Sequence, residues 1–173
     1  MGAGRRRKRG AGRVARGHRR GPPSYAAAVH PWADGPGVVE LPDGRRVRGR
    51  GLRRPTPDGP APELGVYLLA RDPGPFAWEH RWVRWPDFRT PRSTPDALAA
   101  LAAAHRRAAT ERVELACAGG VGRTGTALAV LAVLSGVAPA DAVAWVRHHY
   151  DPRAAETPWQ RRWVVRAGRS SVT

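Results

Sequence analysis

Residues 113–136, VELACAGGVGRTGTALAVLAVLSG, decide the fold. The short apolar run RVELACA (112–118) reads as a buried strand and carries Cys117, the only cysteine of the chain. Three glycines, at 119, 120 and 122, interrupt it, and small apolar residues then resume for the length of a helix, expected over about 124–135. A buried strand, a glycine loop and a helix form the repeating unit of an α/β domain, so Cys117 is expected at the end of a central strand.

The flanking sequence supports that reading. Around Pro42-Asp43-Gly44, two extended runs within 38–50 predict a hairpin, with the glycine free to take a positive φ. LGVYLLA (64–70) is a compact apolar strand, and RWVRW (81–85) alternates like a half-buried one. A helix is expected from Thr94 as N-cap, with Pro95 in its first turn and Asp96 near the positive end of the dipole. Further helices are expected near 139–150 and 158–167. The fold class that results is α/β, a central sheet with helices, and no internal repeat is present.

Charge divides the chain into regions. Of 30 basic residues all but Lys8 are arginine, and nine of the 30 lie in residues 1–20, where there is no acid. Residues 1–23 combine arginine, glycine and proline with too little apolar surface to offset chain entropy, so a disordered basic tail is expected there. It can contact nucleic acid or another polyanion through charge alone, or be no more than a solvated extension. One domain is expected over 24–168, followed by a short C-terminal tail over 169–173. One cysteine cannot form an internal disulfide and lacks partners for structural zinc, so the chain reads as cytoplasmic. No apolar run approaches the roughly 18 residues that span a bilayer. His148 and His149 are expected to be helix-end cations rather than metal ligands, and no cofactor is implied.

The opening stretch also has chemical content. A thiol before Ala118, Gly119, Gly120, Val121 and Gly122, with a helix beginning near Arg123, stands where backbone N–H groups converge to hold an oxyanion. The same field favours thiolate, since helix N-termini and cations bring a cysteine from about 8.5 down to about 3.5–7.5. Cys117 is thus a candidate nucleophile. Arg123 can grip two phosphate oxygens with its planar fork, and Thr124 can return a hydrogen bond to the sulfur when it leaves.

C-x5-R followed by T-G, from Cys117 to Arg123, Thr124 and Gly125, resembles the signature loop of the cysteine-dependent protein tyrosine phosphatases. The wording CAGGVGRTGT, WPDF and AVAWVRHHYDPRAAETPWQRRWV is similar to small bacterial, actinobacterial-type members, over about residues 64–168. The superfamily usually has His before the nucleophile, where this chain has Ala116. The resemblance implies a mostly parallel sheet flanked by helices, a metal-free two-step reaction through phosphocysteine, and a phosphorylated protein as partner of a monomeric enzyme. It makes Asp87, in WPDF, the acid for the leaving group, with Trp85 as hinge anchor and Pro86 stiffening the approach. In ETPWQ (156–160) it gives Gln160 the task of orienting the second-step water. Thr157 and Gln160 are equally well spaced for a capping box with Pro158 in the first turn, and that alternative stays open. Arg153 can support the loop or pair with an acid such as Glu156.

Phosphotyrosine, phosphoserine and phosphothreonine all remain open as substrates. Uncharged Ala118 and Val121 argue against a highly anionic inositol head group. A phosphoprotein-binding module without turnover is the alternative of another class, and an RNA 5'-phosphatase a lesser one. The tail makes a separable prediction. Deleting residues 1–23 is expected to leave the melting temperature and kcat on a small aryl phosphate nearly unchanged, while weakening salt-sensitive binding to DNA, RNA or anionic vesicles. Thermal denaturation, steady-state kinetics and a salt titration of polyanion binding check it.

Overall fold

The computed structural model describes residue 1 and residues 32–171. The expected basic tail lies outside the described residues, apart from Met1. Five strands and four helices follow in the order β1 (Val38–Glu40), β2 (Arg46–Gly51), β3 (Leu64–Leu69), β4 (Glu79–Arg84), α1 (Thr94–Arg107), β5 (Val113–Cys117), α2 (Gly122–Leu134), α3 (Ala142–His149) and α4 (Pro158–Ser171).

The strands form one sheet in the order β1-β2-β5-β3-β4. The β1–β2 hairpin is antiparallel, and its turn closes with Gly44 at φ 83°. The β2–β5, β5–β3 and β3–β4 pairs are parallel. This is the mostly parallel sheet that the resemblance implies, with β5 in the middle.

Alternation along the strands gives the sheet two unlike faces. Val47, Val66, Leu68, Val113, Leu115 and Cys117 join the hydrophobic core with Ala97, Leu101, Leu128, Leu131 and Val164 of the helices. The intervening residues carry charge. Glu114, fully buried, meets Arg48 at 2.7 Å and Arg50 at 2.9 Å, and accepts from the Tyr67 hydroxyl at 3.3 Å. Burial, foremost, pushes the Tyr67 phenol up to about 12, so it remains a donor. Trp32 lies 3.8 Å over the Arg48 guanidinium, and its indole N–H donates to Val113 O at 2.8 Å. Phe76 and His80 pack round Tyr67 on the same face.

Two helix ends differ from expectation. The N-cap of α1 is Ser93, whose Oγ accepts from Asp96 N at 3.3 Å; the Thr94 hydroxyl is instead taken by the Trp163 indole N–H at 3.0 Å. Helix α4 runs to Ser171, past the end expected near 167. Gly168 does not stop it: this glycine lies where Pro139 and Val133 approach, and a Cβ there would meet them at 3.0–3.1 Å. No helix among the described residues is long and apolar enough to cross a membrane.

Glu114 holds two arginines that have little other compensation. Glu114→Ala is expected to destabilise the protein by about 3–5 kcal/mol, because it leaves buried guanidinium charge unpaired. Urea denaturation of the variant beside the wild type measures it.

Candidate active site

The site begins where β5 ends. All five residues of the strand are buried, and the chain turns at Cys117 because β2 continues beside it to Gly51, opposite Cys117 in the parallel register. The turn needs glycine. Gly120 has φ 81°, and a Cβ on it would lie 2.4 Å from Gly51 N, while a Cβ on Gly51 would lie 2.6 Å from Gly119 O. Two glycine backbones therefore touch, and the loop closes tightly against the end of β2.

Three carbonyls of that loop are engaged by groups outside it. Leu52 N donates to Cys117 O at 2.9 Å and Arg53 N to Ala118 O at 3.1 Å. The Tyr150 hydroxyl donates to Gly120 O at 2.5 Å. In a trans peptide the N–H points opposite the C=O, so the amides of Ala118, Gly119 and Val121 face away from these partners. Gly120 N donates to Cys117 Sγ at 3.2 Å. Helix α2 starts at Gly122 with no acid in its own first turn, and the Glu156 carboxylate approaches it from outside, where a Cβ on Gly122 would lie 2.1 Å from Glu156 Oε2.

Arg123 and Thr124 lie in that first turn, both buried. Thr124 Oγ1 and Arg123 Nε have no hydrogen-bond partner among the described residues. The other Arg123 nitrogens face the acid loop, which follows β4. Nη1 donates to Trp85 O at 3.0 Å, and Nη2 meets Asp87 Oδ1 at 2.9 Å. Trp85 is fully buried, packs edge-on to Trp163 at 5.0 Å, and donates its indole N–H to Arg89 O at 2.7 Å. Asp87, by contrast, is half exposed. Phe88 follows it with φ 53°, a left-handed value uncommon outside glycine, and with its ring in solvent.

The first turn of α4 closes over this loop. Trp159 donates its indole N–H to Phe88 O. Gln160 is fully buried. Its Oε1 accepts from Thr157 N at 3.1 Å, Gln160 N donates to Thr157 Oγ1 at 3.3 Å, and its Nε2 donates to Arg89 O at 3.3 Å. The reciprocal capping box is formed, and the remaining amide group ties the acid loop to the helix.

The structure thus brings Asp87 to Arg123, puts Arg123 and Thr124 directly after the Cys117 loop, and holds Gln160 behind the acid loop. Arg153 pairs with Asp151 at 3.4 Å rather than with Glu156. His149 stacks on Trp145 at 4.2 Å, and no group of three or more possible metal ligands occurs among the described residues. Tyr150 and Trp159 were not distinguishable from packing aromatics in the sequence; the only signal was their place inside the quoted run from 142 to 164. A cavity of about 670 Å³ flanks the loop on the β2 side, lined by Gly49, Gly51, Arg54, Gly120, Tyr150 and Asp151 among others.

Comparison with known proteins agrees with this geometry. The family model for protein-tyrosine phosphatase matches residues 71–153, which contain Asp87, Cys117 and Arg123 but not Gln160. A crystal structure of Tk-PTP in the active form superimposes with a TM-score of 0.59 at 23% identity, over 78% of this chain and 97% of that one. A glycine-to-alanine mutant form of Tk-PTP gives a TM-score of 0.54 at 25% identity, over 64% and 78% of the two chains. No curated protein matches the chain. Residues 71–153 are thus similar to protein-tyrosine phosphatases, and the fold is similar to that of the Tk-PTP structures.

The contacts of Gln160 carry a stability prediction. Gln160→Ala is expected to cost about 1–2 kcal/mol through loss of half the capping box and of the bond to Arg89. Thermal denaturation of the variant reads it.

Proposed function

We propose that the protein is a phosphotyrosine-directed phosphomonoesterase that works through a phosphocysteine intermediate on Cys117. The observation that carries this reading is the 2.9 Å contact of Asp87 with Arg123, which puts a carboxyl group and a phosphate-binding cation at one place beside the thiol loop.

In the first step the Cys117 thiolate attacks phosphorus and the bond to the leaving oxygen breaks. Asp87, protonated, gives its proton to that oxygen. The amides of Ala118, Gly119 and Val121 and the positive end of α2 receive the charge on the phosphoryl oxygens. Arg123 adds a fork of Nε and Nη2: the first is buried without a partner among the described residues, the second is released as Asp87 turns to the leaving group. In the second step water attacks the phosphocysteine, Asp87 takes its proton, and the P–S bond breaks to give inorganic phosphate. Thr124 supports the returning sulfur through its buried hydroxyl. Gln160 acts in this reading mainly as a tether of the acid loop, since both ends of its amide are engaged.

Phosphotyrosine is favoured among the substrates by the mouth of the site. Among the described residues Phe88 and Trp159 are the large apolar side chains most exposed after Met1, and the Trp159 indole N–H bonds the Phe88 carbonyl, next to Asp87. An aryl phosphate has a face to offer them; a serine phosphate has none. A binding module without turnover has no use for the acid.

The test is hydrolysis of p-nitrophenyl phosphate, a phosphotyrosine peptide and a phosphoserine peptide with chelator present. Cys117→Ser is expected to abolish turnover and keep oxyanion binding. Asp87→Asn is expected to lower kcat on the phosphotyrosine peptide by about 10²–10⁴-fold, and by much less on p-nitrophenyl phosphate, whose leaving group departs unaided. Turnover surviving in Cys117→Ser would overturn the mechanism, and equal losses of Asp87→Asn on both substrates would remove the acid role.

A further inference from the structure

Of the three loop carbonyls engaged from outside, two are held by backbone amides of residues 52 and 53 and one by a side chain, that of Tyr150. We propose that Tyr150 is a positioning residue of the phosphate cradle, whose hydroxyl, by fixing the Gly120 carbonyl, turns the Val121 amide toward the bound oxyanion. The inference rests on the phosphatase reading above and adds to it a residue 27 positions beyond the arginine of the loop.

The peptide between Gly120 and Val121 is the one most in need of such a hold. Gly120 is at φ 81°, a region that glycine enters and leaves at little cost, so its own backbone does not fix the plane that follows. Flipping that plane would point a carbonyl, not an N–H, at an anion. Ala116, next to the nucleophile, has no polar atom in its side chain to help order the loop.

Tyr150 is held for this task from several sides. It is the C-cap of α3, and its N–H donates to Val146 O at 2.9 Å. Its ring lies over Gly49 of β2, where a Cβ would come within 2.7 Å of the ring and 2.9 Å of the hydroxyl oxygen. Glycine at 49 therefore leaves the room that brings the hydroxyl to Gly120. Burial, foremost, raises the Tyr150 phenol well above its ordinary value, so it remains a hydrogen-bond donor.

The experiment compares Tyr150→Phe, which keeps the ring, with Tyr150→Leu, which does not, in the full chain. Tungstate affinity is measured calorimetrically in a Cys117→Ser background, and kcat and KM for p-nitrophenyl phosphate in the background of the native cysteine. Tyr150→Phe is expected to weaken tungstate binding and lower kcat/KM by roughly tenfold to a hundredfold, the worth of the Val121 N–H bond to the charged oxyanion that the hydroxyl orients, with the melting temperature nearly that of the parent. Gly49→Ala, which pushes the ring away, is expected to reproduce the loss of tungstate affinity. If Tyr150→Phe binds tungstate as the parent does while Tyr150→Leu does not, the ring packs and the hydroxyl does not position, and the proposal fails. A parent protein without tungstate binding or turnover would instead overturn the phosphatase reading itself.

Discussion

A guanidinium that is almost wholly buried constrains everything round it. Arg123 is 4% exposed, and a charge so placed must be compensated by partners held in position. Its partners come from one short segment: the carbonyl of Trp85 and the carboxylate of Asp87. The acid loop is therefore fastened to the phosphate loop by the cation that a phosphoryl group would also claim. In the proposed reaction carboxylate and phosphate compete for Nη2, and a phosphate that takes it would free the carboxylate to pick up a proton and pass it to the leaving oxygen. On that proposal, substrate binding and deployment of the acid would be one event.

The frame behind the acid loop is helix α4. Its Trp163 packs on Trp85 and donates to Thr94, the first residue of α1, so the two ends of the 85–94 segment are referred to one side chain. Trp159 and Gln160, one turn earlier, hold the carbonyls of Phe88 and Arg89 in the middle of it. The unusual φ of Phe88 persists because these bonds over-determine the backbone on either side. A loop so held, anchored in the core through Trp85, carries Asp87 at a defined height.

How much of this could be read beforehand depended on sequence distance. The register Cys117, Gly119, Gly120, Gly122, Arg123 is local chemistry: the residue types that an oxyanion loop needs occur together, and so do Trp85, Pro86 and Asp87. The hairpin, the individual strands and the four helices were legible for the same reason, since each is written in its own periodicity and turn residues, whereas the parallel pairing came only from the resemblance. What was hidden is pairing across the fold. Glu114 lies inside an apolar strand, and nothing local says that Arg48 and Arg50 of β2 will meet it. Thr94 and Ser93 are both competent N-caps, and the choice is made by Trp163, 69 residues on. Capping and catalysis make the same demand at Gln160, a glutamine three residues after a threonine, so only the bond to Arg89 separates its structural task from a free one.

The sheet order explains why the loop can be so rich in glycine and still be ordered. Glycine lets the backbone approach an anion closely but gives it no preferred conformation, which by itself would leave the amides free to turn away. Placing β2 beside β5 brings Leu52 and Arg53 alongside Cys117 and Ala118, so the parallel ladder is continued for two residues past the strand ends. Those bonds take the carbonyls and leave the amides. Beyond Ala118 the ladder has no further backbone to offer, and the next engaged carbonyl, that of Gly120, is met by a side chain from α3. The order of the loop is thus an extension of sheet hydrogen bonding into a segment whose own residues would not impose it, which makes the end of β2 as necessary to the proposed chemistry as the loop itself.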